Sequence, residues 1–303
     1  MIDTAKFLIV VAGPTAVGKT DMCIKIAKKF NTSIISSDSR QFFKEMEIGT
    51  AKPSKEEQAL VFHYFINSLS IHESYDVRKF EQNSLKLLEE LFEINDCVVM
   101  TGGSGLYLDA VCKGFDEMPE IPSEIRGNLN QLFQDKGIEV LQKMLKEVDP
   151  DYYGTVDLHN PQRLIRALEV YQGTGRPFSS FRQKKTVDRP FKIIKIGLER
   201  DREVLYERIN LRMDHMIAQG LFEEAEELFP FRHLNALQTV GYSEIFRFLE
   251  GEYDKEEAVR LLKRNSRRYA KRQLTWFKKD PEMVWFSPDD LEGILKYIDR
   301  QMD

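Results

Sequence analysis

Apolar positions fall along this chain in two alternating rhythms. "KFLIVVAG" at 6–13 is a short unbroken apolar run closed by glycine, which predicts a strand buried on both faces. "KTDMCIKIAKKF" at 19–30 then sets Met22, Ile26 and Ala27 at helical spacing, with lysines gathering near its end. "TSIISSDSRQFF" at 32–43 predicts a second short strand that runs out into polar residues. In "YDVRKFEQNSLKLLEELFEIN" at 75–95, Val77, Phe80, Leu87, Leu88 and Leu91 mark one helix face. Strand, glycine turn and helix recur in "CVVMTGGSGLYLDAV" at 97–111, and strand then charged helix in "FKIIKIGLERDREVLYERINLRM" at 191–213. After residue 200 the pattern reads as all helical.

Apolar strands alternating with amphipathic helices indicate a parallel sheet covered on both faces. In such a sheet the strand-to-helix turns gather at the C-terminal edge, where ligands bind. The stretch 114–189 breaks the rhythm. It is helix-rich, carries Pro119, Pro122, Pro150, Pro161 and Pro177, and lacks a buried strand. It is read as an inserted helical domain, leaving 1–113 and 190–303 as the core.

Composition narrows the class without naming a partner. With 42% hydrophobic and 31% charged residues in 303, the chain reads as an ordinary globular protein. Its net charge of −5 does not advertise nucleic acid, although a local basic patch still can. Cys23, Cys97 and Cys112 show no C-x-x-C spacing, which argues for a reducing compartment and against structural zinc. The histidines never fall in metal-ligand spacing. A strand begins too early for a signal peptide, and no apolar run approaches the ~20 residues of a membrane span. A cytoplasmic protein with no membrane partner is expected.

The strongest chemical signal is "AGPTAVGKTD" at 12–21, where Gly13, Gly18, Lys19 and Thr20 complete G-x-x-x-x-G-K-[ST]. Between an apolar strand and a helix, the backbone of Gly13, Pro14, Thr15, Ala16, Val17, Gly18, Lys19 and Thr20 forms an anion nest, reinforced by the positive end of the helix. Lys19 adds a mobile charge, and the Thr20 hydroxyl is a ligand for Mg²⁺. The turn specifies phosphate rather than ATP. "DLEG" at 290–293 is misplaced for a GTPase, N-K-x-D is absent, and no strand ends in a convincing second magnesium aspartate. Together these features predict an α/β, P-loop NTPase-like parallel sheet with flanking helices and an inserted helical domain.

Other residues cluster around that edge. Asp38, at the mouth of the second strand, is either a proton acceptor or a turn-capping aspartate. "TGGSGLYLDAV" at 101–111 brings a second glycine turn, with the Ser104 hydroxyl at a helix start. Arg208 and Arg212 share a helix face and are suited to clamp a diphosphate, or to pair on the surface with Glu203, Glu207 or Asp214. "KRNSRRYAKRQLTWFKK" at 263–279 has eight basic residues and no acidic one, with Tyr269, Trp276 and Phe277 interleaved. Arg264, Arg267, Arg268, Lys271 and Arg272 form a flank suited to a nucleic-acid backbone, or a solvated face over buried aromatics. Arg163 and Arg166 in "HNPQRLIRALEVYQGTGRPF" at 159–178 offer a weaker signal of the same kind.

Taken together, "GPTAVGKT", "ISSDSRQFF", "IGTAKP", "GGSGLYLDAV", "PQRLIRALEVY", "RMDHMIAQGLFEE", "VGYSEIFRFLEGE" and "AKRQLTWF" resemble, in order and over nearly the whole chain, the tRNA dimethylallyltransferase family of bacterial type. The resemblance implies transfer of a dimethylallyl group from dimethylallyl diphosphate to N6 of the adenine 3′ of the anticodon, in tRNAs that read codons beginning with U. It implies that the loop 13–20 holds the donor's diphosphate and that the inserted domain grips the anticodon stem-loop. Asp38 is then the general base, with Ser104, Arg212, Lys19 and Thr20 with Mg²⁺ stabilising the leaving diphosphate. Asp38, Ser39, Arg40 and Gln41, Arg126, the run Gln162, Arg163, Leu164, Ile165 and Arg166, and Lys271 and Arg272 are implied to meet tRNA. A monomer is expected. Phe43 departs from the family's usual tyrosine, and Ser104 from its usual threonine. The competing readings are an adenylate isopentenyltransferase acting on free AMP, ADP or ATP, a non-catalytic RNA-binding protein and, more distantly, a small-molecule kinase.

Overall fold

The computed structural model describes residues 5–116, 118–182 and 187–303. Its elements in chain order begin with β1 (Phe7–Ala12), α1 (Lys19–Lys29), β2 (Ile34–Ser36), α2 (Lys55–Leu60), β3 (His63–Tyr64), α3 (Val77–Phe92), β4 (Cys97–Gly102) and α4 (Gly105–Lys113). There follow α5 (Ser123–Lys136), α6 (Ile138–Val148), α7 (Pro150–Tyr153) and α8 (Pro161–Thr174). The chain ends with β5 (Lys192–Leu198), α9 (Arg202–Ala218), α10 (Leu221–Leu228), α11 (Tyr242–Leu249), α12 (Lys255–Phe277), β6 (Val284–Phe286) and α13 (Leu291–Met302).

The six strands form one sheet in the order β3–β2–β4–β1–β5–β6, every neighbouring pair parallel. The unbroken apolar run of β1 is explained by its central place. Phe7, Ile9 and Val11 pack into one core with α1, α9 and α13, while Leu8, Val10 and Ala12 pack into another with α3 and α4. Successive side chains point to opposite faces, so a doubly covered strand has no position for a polar residue. Ile9, fully buried, contributes about 2 kcal/mol by its burial. Register then sets the edge. Ala12 pairs with Gly102 of β4 and with Gly197 of β5, so the turns after β1 and β4 start side by side.

The short second strand is Ile34–Ser36, and the chain turns at Asp38, whose Oδ1 accepts from the Arg40 amide at 3.0 Å. One expectation changes. The chain beyond residue 200 is not all helical, since Val284–Phe286 adds a sixth strand beside β5. Three residues are too few to display an alternating period.

The chain divides into two compact units, Met1–Cys112 with Arg189–Asp303, and Lys113–Asp188. The second is helical around a core of Leu129, Leu141, Leu145, Leu164, Ile165 and Leu168. Its α8 carries both termination signals. The Asn160 side chain accepts from the Arg163 amide ahead of Pro161, and Gly175 closes the helix in the left-handed region at φ 70°. Among the described residues no helix is long and apolar enough to cross a membrane.

Candidate active site

The chain leaves β1 at Ala12 and enters α1 through Gly18, a left-handed N-cap with no side-chain cap bond. The first amides of α1 are therefore available to an anion. Ala16, in the middle of the loop, is held at φ 64°, a conformation that L residues disfavour. Lys19 is not the mobile charge expected of it. Its Nζ donates to Gly13 O at 2.9 Å and Pro14 O at 2.8 Å, folding back over the loop. Burial pulls its ammonium down to about 8, with the Asp38 carboxylate opposing the shift and the Arg212 guanidinium adding to it.

Arginines brace the loop from β5 and α9. Arg212 donates to the Thr15 hydroxyl, and Arg208 Nε donates to Ala16 O at 2.9 Å. Arg200 Nε reaches Val17 O at 3.0 Å while its guanidinium grips Asp289 with bonds of 2.7 and 2.9 Å. So both arginines weighed from the sequence touch the loop, and Asp214 pairs instead with Lys263 at 2.5 Å. Arg200, which follows β5 directly, carries no sequence signal beyond its place after a strand. A groove opens beside Arg212, with Glu47, Ile48, Lys52, Pro53, His215 and Met216 among the residues that line it.

Asp38 stands at the adjacent strand end. It lies within electrostatic reach of Lys19, Arg40 and Arg212. Burial lowers both guanidinium values and pushes the Tyr107 and Tyr269 phenols up to about 12. Ser104 is occupied with the turn that carries Asp38. Its Oγ accepts from the Ser39 amide at 3.2 Å and lies 3.2 Å from the Ser39 hydroxyl. Gln41 likewise faces inward, accepting from Ser36 Oγ and donating to Thr50 O and Ala51 O. Phe43 is buried beside Met46 and Met213.

Two polar residues that the sequence reading passed over hold these pieces together. Gln273 of α12 is buried, accepts from the Thr15 amide at 2.9 Å and donates to Gly103 O at 2.9 Å. Glu224 of α10 accepts from the amides of Glu47, Ile48 and Gly49 at 2.9, 2.7 and 2.9 Å, and from the Tyr242 hydroxyl at 2.6 Å. The first had a legible signal. Ser266, Ala270, Gln273 and Phe277 recur at spacings of four, three and four and form the buried face of α12. A glutamine on such a face has to find partners.

The basic helix splits by face. Lys263 and Arg267 are tied to Asp214 and Asn210 of α9. Lys271 and Arg272 are exposed, with the Arg272 guanidinium 5.7 Å from the Tyr269 ring centroid. Phe277 lies in the core, and Trp276, 38% exposed, donates its indole N–H to Asp109 at 2.9 Å. In the helical unit, Leu164 and Ile165 have no exposed surface, which corrects their placement among residues meeting tRNA: they fill the core on the inner face of α8. Gln162 and Arg163 are exposed in its first turn. Arg126 joins Glu169 at 3.0 Å and Gln162 at 2.8 Å, and Arg166 joins Glu169 at 2.5 Å. Among the described residues no group of three or more acidic, His or Cys side chains is placed to hold a metal.

Known proteins resemble this chain in sequence and in fold. The IPP transferase family profile matches residues 41–280. The tRNA dimethylallyltransferase of Cytophaga hutchinsonii is 52% identical over 297 residues, covering 98% of each chain. That of Christiangramia forsetii is 53% identical over 300 residues, covering 99% of each. Among solved structures, the full-length tRNA isopentenylpyrophosphate transferase of Bacillus halodurans superposes with TM-score 0.73 at 35% identity, covering 99% of this chain and 97% of its own. A eukaryotic dimethylallyltransferase acting on tRNA superposes with TM-score 0.75 at 25% identity, covering 95% of this chain and 75% of its own.

Proposed function

The chain belongs to the tRNA dimethylallyltransferase family, prenyltransferases that form N6-isopentenyladenosine at position 37 of tRNA, and on that premise we propose how its residues divide the work. The Gly13–Thr20 loop holds the diphosphate of dimethylallyl diphosphate, with Lys19 and Arg212 facing its oxygens. The observation that carries this is the convergence of Lys19, Arg212 and the open start of α1 on one loop that has Asp38 beside it. The groove beside Arg212 combines apolar Ile48, Pro53 and Met216 with polar residues that include Lys52 and its partner Glu47, so it offers both kinds of surface to an ester with an apolar tail and a polar head.

The exocyclic amine of adenine is a weak nucleophile because its lone pair is delocalised into the ring. The leaving side must therefore drive the reaction. N6 forms a bond to C1 of the dimethylallyl group, the C1–O bond breaks, and the electron pair leaves with the diphosphate. Positive charge at C1 is shared over two allylic carbons, while negative charge gathers on the departing oxygens. Donors already aimed at that charge stabilise it without reorganising. Asp38 takes the proton that N6 loses as the new bond forms, help worth roughly a hundred- to ten-thousand-fold. Ser104 acts at one remove, holding the Ser39 amide and with it the turn that carries Asp38.

Magnesium fits the site through substrate oxygens. A hard cation that keeps several waters needs only one or two protein oxygens beside a diphosphate. The Thr20 hydroxyl, in the first turn of α1, would hold it. When bound, it would neutralise charge on the leaving diphosphate.

The target adenine is stacked in its loop and must be turned out, at a cost of roughly a few kcal/mol. Phosphate contacts from Lys271 and Arg272, and from Arg126, Gln162, Arg163 and Arg166 of the helical unit, offset that cost, with Asp38 to Gln41 meeting the flipped base. The enzyme acts in the cytoplasm, where its tRNA lies, and one chain carries both glycine turns, the arginines and the basic helix, so a monomer suffices for the reaction. Mass spectrometry of nucleosides from an anticodon stem-loop incubated with enzyme and dimethylallyl diphosphate tests the reading. Prenylated adenosine in that RNA, and not in AMP, is expected. Prenylation of AMP alone, or consumption of ATP without donor, would overturn it.

A further inference from the structure

We propose that Gln273 is a positioning residue that sets the phosphate loop for the prenyl donor; this rests on the reading that the loop holds the donor's diphosphate. The geometry asks for an amide. Gln273 Oε1 faces the Thr15 N–H, which only donates, and Nε2 faces Gly103 O, which only accepts, each at 2.9 Å. Among unbranched, flexible side chains of that length no other is uncharged and donates and accepts at two separate atoms. Gly103 makes room for it, because a Cβ there would come within 2.2 Å of Nε2.

What Gln273 holds is the point where the loop is strained. Ala16, the next residue, sits at φ 64°. Such a conformation persists where its surroundings over-determine it. Thr15 is held at its amide by Gln273 and at its hydroxyl by Arg212, and Ala16 O is held by Arg208. The same amide group ties the loop to the second glycine turn, from which Ser104 fixes the Asp38 turn. Gln273 thereby keeps the diphosphate nest and the base in register while touching neither substrate.

Two variants and a pH profile test this. Gln273→Met keeps the volume and removes both bonds. Its KM for dimethylallyl diphosphate should rise about tenfold, while its Kd for tRNA measured without donor stays at the wild-type value. Gln273→Glu keeps an acceptor for Thr15 but turns a carboxylate oxygen toward Gly103 O. Its kcat/KM relative to wild type should be low at pH about 8 and climb as the pH falls toward about 6, because a protonated carboxyl donates to Gly103 O as the amide does. A residue that only fills space would leave this ratio level. A Gln273→Met enzyme with wild-type KM for the donor, or one that loses tRNA affinity instead, overturns the proposal. So does a flat Gln273→Glu ratio, which decides the matter even where the Met variant does not fold. A wild-type enzyme that transfers no prenyl group sinks the underlying donor reading instead, and the wild-type control separates the two failures.

Discussion

Raising the pH from about 7.5 to about 9.5 strips the proton from Lys19 in the empty loop and weakens its hold on a diphosphate. Burial has pulled this ammonium down to about 8, against the pull of Asp38. A bound diphosphate sets negative charge against the amine and raises its value again. The bound form thus prefers the charged lysine, the empty form loses that charge as the pH passes 8, and Kd climbs with pH. With the empty value at about 8 and the bound lysine kept charged across the range, the factor 1 + 10^(pH−8) grows from about 1.3 to about 33, so Kd rises about 25-fold at most. Dimethylallyl diphosphate is essentially ionised throughout and adds little slope of its own. Calorimetry in metal-free buffers of two different ionisation heats reads both Kd and proton uptake, expected at about half a proton per site at pH about 8. Lys19→Met should bind more weakly and show almost no slope. A wild-type Kd that stays level, or a Lys19→Met protein that keeps the slope, refutes the argument.

Four further outcomes are expected. Asp38→Asn retains an acceptor for the Arg40 amide, so it should fold and bind tRNA normally while kcat falls by about a hundred- to ten-thousand-fold in single-turnover prenylation assays. Replacing exposed Lys271 and Arg272 by Ala should reduce the slope of log Kd against log salt by about 0.7 to 0.9 per charge in filter-binding titrations; an unchanged slope would make that helix face merely solvated. Gly49→Ala drives a methyl carbon to within 2.4 Å of the Tyr242 ring, so urea unfolding should show a loss of about 1–3 kcal/mol. Glu169→Ala leaves Arg126 and Arg166 without their shared buried carboxylate. Because both arginines are about two-fifths exposed, the loss in the same assay should be about 1–2 kcal/mol rather than that of a fully buried pair.

The parts legible in the sequence were those whose cause is local. The apolar run of β1 and the G-x-x-x-x-G-K-T turn each depend on a handful of consecutive residues. The misread parts depend on distant partners. Nothing near Val284–Phe286 says that β5 will accept it as a neighbour. Leu164 and Ile165 sit between arginines, and only the core of Leu129, Leu141 and Leu145 decides which way they turn. Lys19 looks mobile in a motif, and the carbonyls of Gly13 and Pro14 capture it in the fold. Glu224 is one of several glutamates in "LFEEAEEL", and only the three amides at 47–49 single it out.

The same contrast bears on the site itself. The phosphate loop is local as a motif, yet its shape is imposed from far along the chain. Thr15 is held by Arg212, 197 residues away, and by Gln273, 258 residues away. Helix α12 supplies the second of these from its buried face, while Lys271 and Arg272 lie on its exposed face. An α-helix is stiff and about 10–12 Å across with its side chains. One stiff helix therefore carries both the brace on the loop and the two cations that, on the reading proposed above, would meet a tRNA phosphate, so an RNA held by those cations would be fixed relative to the loop that holds the donor.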